Sequence, residues 1–119
     1  MPYGNEDDSI LARVRAAITV EALLKELKWW YSWGEYDTTG AEILTKLGEL
    51  GQGNPDAIAA LKRSAQGRIA RTSNAASNAL SRLATQGDPL AIAVLREFAA
   101  ERLANEAAKL GMSVEALQQ

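Results

Sequence analysis

The chain of 119 residues contains no cysteine and no histidine. The first absence excludes disulfides and leaves the redox compartment open. The second removes the commonest general base and the commonest zinc ligand together. Long apolar runs are missing too: no window approaches the eighteen or so consecutive apolar residues of a membrane span. The opening "MPYGNEDDS" is acidic and lacks the basic start and apolar core of a secretory leader, so a cytoplasmic location is expected. Strand signals are scarce, with little alternation of apolar and polar residues and no long β-branched run. What remains is rich in Ala and Leu, and points to an all-α domain with one modest core.

Charge of one sign is missing over a long stretch. From Ala57 to Gly87 there is no Asp or Glu, while Lys62, Arg63, Arg68, Arg71 and Arg82 contribute +5. The net charge of −2 therefore leaves −7 on the rest of the chain. That segregation says more about partners than the total does.

Helix punctuation is clear. Asp8 and Ser9 suit the start of a first helix carrying Ile10, Leu11, Val14 and Ile18 on one face. Thr19 suits the N-cap of a second, with Val20, Leu23, Leu24, Leu27 and Tyr31 as its stripe, failing near Gly34. Thr39 and Glu42 have capping-box spacing for a third, with Ile43, Leu44, Leu47 and Leu50 on its face and Gly51 or Gly53 beyond it. Asn54-Pro55 and Asp88-Pro89 each read as a cap followed by proline at the first helical position. The helices they open carry Ile58, Leu61, Ala65 and Ile69, and Ile92, Leu95, Phe98, Ala99 and Leu103. Gly111 ends the latter, leaving a stub at 113–119. The apolar register runs on from Ile58 to Leu83, so 55–85 is either one long helix or two; the weak helix formers "RTSN" favour a break at 71–74.

"GNPDAIAALKRSAQGRIA" and "GDPLAIAVLREFAAERLA" align without a gap at an offset of 34 residues, with nine of eighteen positions identical. A period of this length signals helix-turn-helix repeats. The segments "AEILTKLGELGQGNPDAIAALKRSA" and "ASNALSRLATQGDPLAIAVLREFA" resemble HEAT-like repeats of the phycobilisome-lyase type, over residues 41–104. The resemblance implies a short right-handed stack of three helical hairpins, at 9–33, 40–70 and 73–110, within a single domain spanning 1–119. One hairpin cannot bury its own apolar face, so near-copies are stacked. An irregular bundle with one long helix at 55–85 is the alternative. A designed repeat protein without natural function would show the same echo.

The HEAT-like class includes a few enzymes, among them metal hydroxylases that need His-Glu pairs, and many binding scaffolds. Without His, and with "GELGQGNP" lacking the Lys-Ser/Thr ending of a phosphate loop, neither a catalytic, a metal nor a cofactor site is expected. The aromatic run "KWWYSWGEY" is the first candidate for function. It is either a terminal unit covered by the 34–40 loop or an exposed anchor for a partner, since Trp, Tyr and Arg dominate binding hot spots. In a stack of this period Trp29, Arg63 and Glu97 form one row, and Trp33, Gly67 and Glu101 the next. Together with Tyr36 these rows predict a groove that is aromatic at one end and acidic at the other. The expected role is therefore a non-catalytic protein-binding module, with Trp29, Trp33, Tyr36, Arg63, Glu97 and Glu101 as its contact residues. A nucleic-acid surface on Arg63, Arg68, Arg71, Asn74, Asn78 and Arg82 is the alternative, opposed by the small positive footprint and the −7 elsewhere. The end "LANEAAKLGMSVEALQQ" resembles the first half of a helix-turn-helix reader, but "VEALQQ" is too short to cross a major groove.

Overall fold

The computed structural model describes residues 6–34 and 36–111, with side chains from Ser9 onward. The expected 113–119 stub, which is the second helix of the helix-turn-helix reading, lies outside the described residues. Six α-helices account for the described fold, with no strand among those residues: α1 Glu6–Ala16, α2 Val20–Trp33, α3 Asp37–Leu50, α4 Pro55–Ala65, α5 Ala70–Thr85 and α6 Pro89–Leu110. The domain is elongated, measuring 58 × 29 × 16 Å along its principal axes.

The helix boundaries follow capping chemistry where a side chain supplies an acceptor. Thr19 Oγ1 accepts from Ala22 N–H at 3.1 Å and opens α2. Asn54 Oδ1 accepts from the N–H groups of Asp56 and Ala57 and opens α4, with Pro55 at the position that needs no donor. Asp88 does the same for α6. The glycines before these caps, Gly53 and Gly87, have φ of +74° and +90°, a region that L side chains rarely adopt. The 34-residue echo is therefore a repeated backbone turn as well as a repeated string.

Other expected boundaries move. α1 begins at Glu6, so Ser9 lies inside it, and Ile18 falls in the α1–α2 link at 85% exposure. α3 begins at Asp37, with Tyr36 at the cap position and no side-chain cap. Thr39 is buried one turn in, and Glu42 pairs with Arg15 at 3.1 Å. The cause is tertiary: the Tyr36 carbonyl accepts from Trp30 Nε1–H at 3.1 Å and so fixes the entry to α3. The helix break after α4 falls at 66–69, upstream of the expected 71–74, and excludes a single helix over 55–85. Gly67 is the weakest helix former there. "RTSN" is drawn into α5 because Thr72 Oγ1 donates to the Ile69 carbonyl and Ser73 Oγ donates to the last carbonyl of α4, Ala65, at 2.7 Å. Ile69 consequently leaves the core stripe and is exposed, as is Leu50 at the end of α3.

The core runs the length of the domain through Ile10, Val14, Leu23, Ile43, Leu44, Leu47, Leu61, Leu80 and Leu83, all fully buried. α3 against α5 is the most extensive helix pairing, helped by Gly48, whose missing side chain lets Ala79 approach. Among the described residues, the backbones of α1 and α2 approach neither α5 nor α6, whereas α3 and α4 both pack on α5. Polar side chains brace the α1 end. Lys46 Nζ donates to the carbonyls of Val14 and Arg15 at 2.7 and 2.9 Å, which satisfies the C-terminus of α1.

Ile58 and Ile92 hold the same repeat position but not the same burial. Ile58 is core, whereas Ile92 is half-buried. α4 is flanked by α2, α3, α5 and α6, while α6 has only α4 and α5. Ile58→Ala is therefore expected to destabilise by about 2–5 kcal/mol, and Ile92→Ala by about 1–2 kcal/mol. Urea melts of the two variants measure the difference, and equal losses would contradict the flanking explanation.

Candidate protein-binding face

The aromatic run divides around α2 by helical geometry. Val20, Leu23, Leu27 and Trp30 recur at three- and four-residue intervals and face the core. Trp29 and Trp33 stand one turn apart on another side, ring centroids 6.3 Å apart and planes tilted 45°. They are 44% and 60% exposed, and Tyr31 and Tyr36 are 52% and 53% exposed. So one tryptophan, Trp30, is covered by the 34–40 segment, and four other rings within eight residues face outward.

Tyr31 leaves the expected stripe because it bridges helices. Its hydroxyl lies 2.6 Å from Ser64 Oγ on α4. Beyond that bridge, α2 and α4 part to leave a cleft of about 470 Å³. Its apolar lining is Leu24, Leu27, Ala59 and Ala60, and its polar lining Lys28, Ser32, Asp56 and Arg63. On the other side of α2, Trp29 borders a hollow with Arg13, Lys25 and Glu26. There the Arg13 guanidinium pairs at 2.7 Å with Glu26, a buried carboxylate whose charge demands such a partner.

The expected rows are shifted in this structure. Trp29 and Arg63 border different hollows, and the carboxylate of Glu97 is met at 2.7 Å by Lys62, not Arg63. Cross-helix partners are 33 residues apart for Tyr31–Ser64 and 35 for Lys62–Glu97. Neighbouring helices interdigitate their ridges, so a side chain meets the gap beside its repeat equivalent. Gly67 sits in the α4–α5 turn, so the second row loses its middle member. Glu101 borders a separate hollow of about 330 Å³ with Ala65, Gln66, Ser77, Phe98, Arg102 and Asn105. The hydrogen bond and the charge of Glu97, with Glu101 adding a smaller share, hold the Lys62 ammonium above its ordinary pKa.

The residues of the alternative nucleic-acid surface are all exposed, and four of them recur at three- and four-residue intervals on one helix. Arg68 is in the turn and Arg71, Asn74, Asn78 and Arg82 are on α5, while Arg63 is at the α2–α4 cleft. Asn78 and Arg82 border a small hollow shared with Thr45 of α3. No described carboxylate forms an ion pair with any of these four arginines.

Asp88 is more than the expected N-cap. Asp88 is 2% exposed. Its Oδ1 accepts from Leu90 and Ala91 N–H at 2.9 and 3.2 Å, and its Oδ2 accepts from Gly53 N–H at 2.6 Å. The sequence clue was that Asp88 replaces Asn54 at the repeat position, adding a second acceptor oxygen. Among the described residues, no group of three metal-ligating side chains comes together, and no helix is long and apolar enough to cross a membrane. No family model, curated protein or solved structure matches the chain.

Proposed function

We propose that the chain is a non-catalytic protein-binding module built as a short right-handed, HEAT-like stack of three hairpins, which takes its partner on the face formed by α2, α4 and α6. Support for the stack comes from the duplicated Gly–cap–Pro turn, the Asp88 link between its two copies, and the separation of the α1 and α2 backbones from α5 and α6 among the described residues. The binding reading is carried by one observation, the four outward rings Trp29, Tyr31, Trp33 and Tyr36 at the end of α2. Aromatic rings left in water around the end of one helix are the type of surface that partners cover. The acidic end, Glu97 and Glu101, is tempered by Lys62, so affinity rests on the aromatic end.

The test places a photo-reactive p-benzoylphenylalanine at Trp33 and, as control, at the exposed Thr45 of α3. Expected are protein adducts in native extract from position 33 and none from position 45. Trp33→Ala should reduce partner capture while changing stability by less than about 0.5 kcal/mol, as for exposed sites generally. A matching loss of stability would make Trp33 scaffolding instead.

A nucleic-acid reading keeps one supporting observation, the arginines of an acid-free α5 that pair with no described carboxylate. It requires binding to duplex DNA that falls steeply with salt through counterion release.

A further inference from the structure

We infer that the α2–α4 cleft is the seat of an acidic amphipathic helix from the partner protein, its apolar side on Leu24, Leu27, Ala59 and Ala60 and its carboxylates on Lys28 and Arg63. The inference rests on the protein-binding reading above and names the chemistry of the partner.

Three features carry it. First, the cleft has the size and the lining of a binding site: about 470 Å³ with Leu24, Leu27, Ala59 and Ala60 in its lining, within the usual range for ligand pockets. Small residues on the α4 wall, Ala59 and Ala60, leave room for larger side chains to enter. Second, the cleft is graded in charge. Asp56 lies in the first turn of α4, where the helix dipole favours an acid. Arg63 lies on the same wall about 10 Å further along the axis, at the standard rise per residue. Lys28 faces the cleft from α2, and neither cation forms an ion pair with a described residue.

Third, the chain supplies its own comparison. On the α6 side of α4, the cation Lys62 is answered by Glu97 from the neighbouring helix at 2.7 Å. On the α2 side, Lys28 holds the repeat position of Lys62, but Arg63 stands where the repeat places Glu97, so Lys28 shares the cleft with a second cation. An incoming helix with acids flanking its apolar stripe supplies the carboxylate that α4 lacks there. This is the helix-in-groove mode, in which apolar anchors give area and rim charges give selectivity.

The experiment uses the full chain and two fluorescein-labelled helical peptides of about four turns. One carries Leu at three- and four-residue intervals flanked by Glu; the other carries Lys at each Glu position. Fluorescence anisotropy is expected to show the Glu peptide binding at least about tenfold more tightly than the Lys peptide, with the preference reversed by the Lys28→Glu/Arg63→Glu double variant. Ala59→Trp, which fills the cleft from an exposed helix position, should abolish binding of both while circular dichroism confirms the fold. Equal affinities, a preference for the Lys peptide, an unchanged preference in the double variant, or no binding to either peptide would each overturn the inference. Protein adducts from position 33 alongside any of those results would overturn the inference alone and leave the wider reading standing.

Discussion

Trp30→Ala is expected to lower stability by about 3–5 kcal/mol, the range for removing a buried tryptophan. The ring is 5% exposed and fills the corner between α2 and the start of α3. Gly34 lies against its Cδ1 edge. On the opposite edge, a Cβ added at Gly40 would stand 2.6 Å from Cζ2 and Cη2 and 2.9 Å from Thr72 Cγ2. Both glycines are thus shaped around the ring, and neither has a side chain to fill a void left there. Truncation also frees the Tyr36 carbonyl that Nε1–H now satisfies. Trp30→Phe separates the two contributions: it keeps an aromatic wedge, loses that hydrogen bond, and should cost about 1–2 kcal/mol. Gly40→Ala, which adds bulk to the same seam, should cost about 1–3 kcal/mol by overpacking. Urea melts followed by far-ultraviolet circular dichroism measure all three without relying on the fluorescence of the residue removed. Trp30→Ala melting within 1 kcal/mol or so of the parent would show that the seam collapses around the gap, against the packing argument.

Asp88→Ala should destabilise by about 2–4 kcal/mol, combining a lost N-cap with a lost charge-assisted bond. Asp88→Asn is the more informative change. Asparagine caps as well as aspartate, so its oxygen can still serve Leu90 and Ala91. It then presents an NH₂ donor to the Gly53 N–H, and the link between the two turns is broken at a cost of about 1–3 kcal/mol. The same link has a pH signature. The Gly53 N–H bond, helped by Ala91 and Leu90 and opposed by burial, holds the Asp88 carboxyl below its ordinary value of 3.8. A carboxyl whose pKa is lower folded than unfolded binds its proton more readily in the unfolded chain. Its contribution is therefore fully present above the unfolded pKa, and is lost as pH falls through the folded one. The stability gap between parent and Asp88→Asn should be constant near neutrality and narrow below about pH 3.8. A gap that stays the same down to about pH 2 would mean that the charge of Asp88 does not contribute.

The local features of this chain were determined by its sequence alone. The all-α class, the ends of α2 and α6 at Gly34 and Gly111, and the caps Thr19, Asn54 and Asp88 depend on backbone preference and on acceptors within three residues. The duplicated turn was equally legible, because a glycine at positive φ followed by a cap and a proline is specified within four residues. Tertiary structure decided what depends on a neighbour. Helical spacing sets Trp30 beside the core face and Trp29 and Trp33 away from it, but only the packing shows that Trp30 is closed over while Trp29 and Trp33 are left exposed. α3 starts early because a tryptophan holds the Tyr36 carbonyl, and α5 starts early because Ser73 reaches back to α4. The shift from equal 34-residue rows to partners 33 and 35 apart has the same origin. A repeat period places helices side by side, but the interlocking of their ridges sets which side chains touch, and that is settled only when the helices pack.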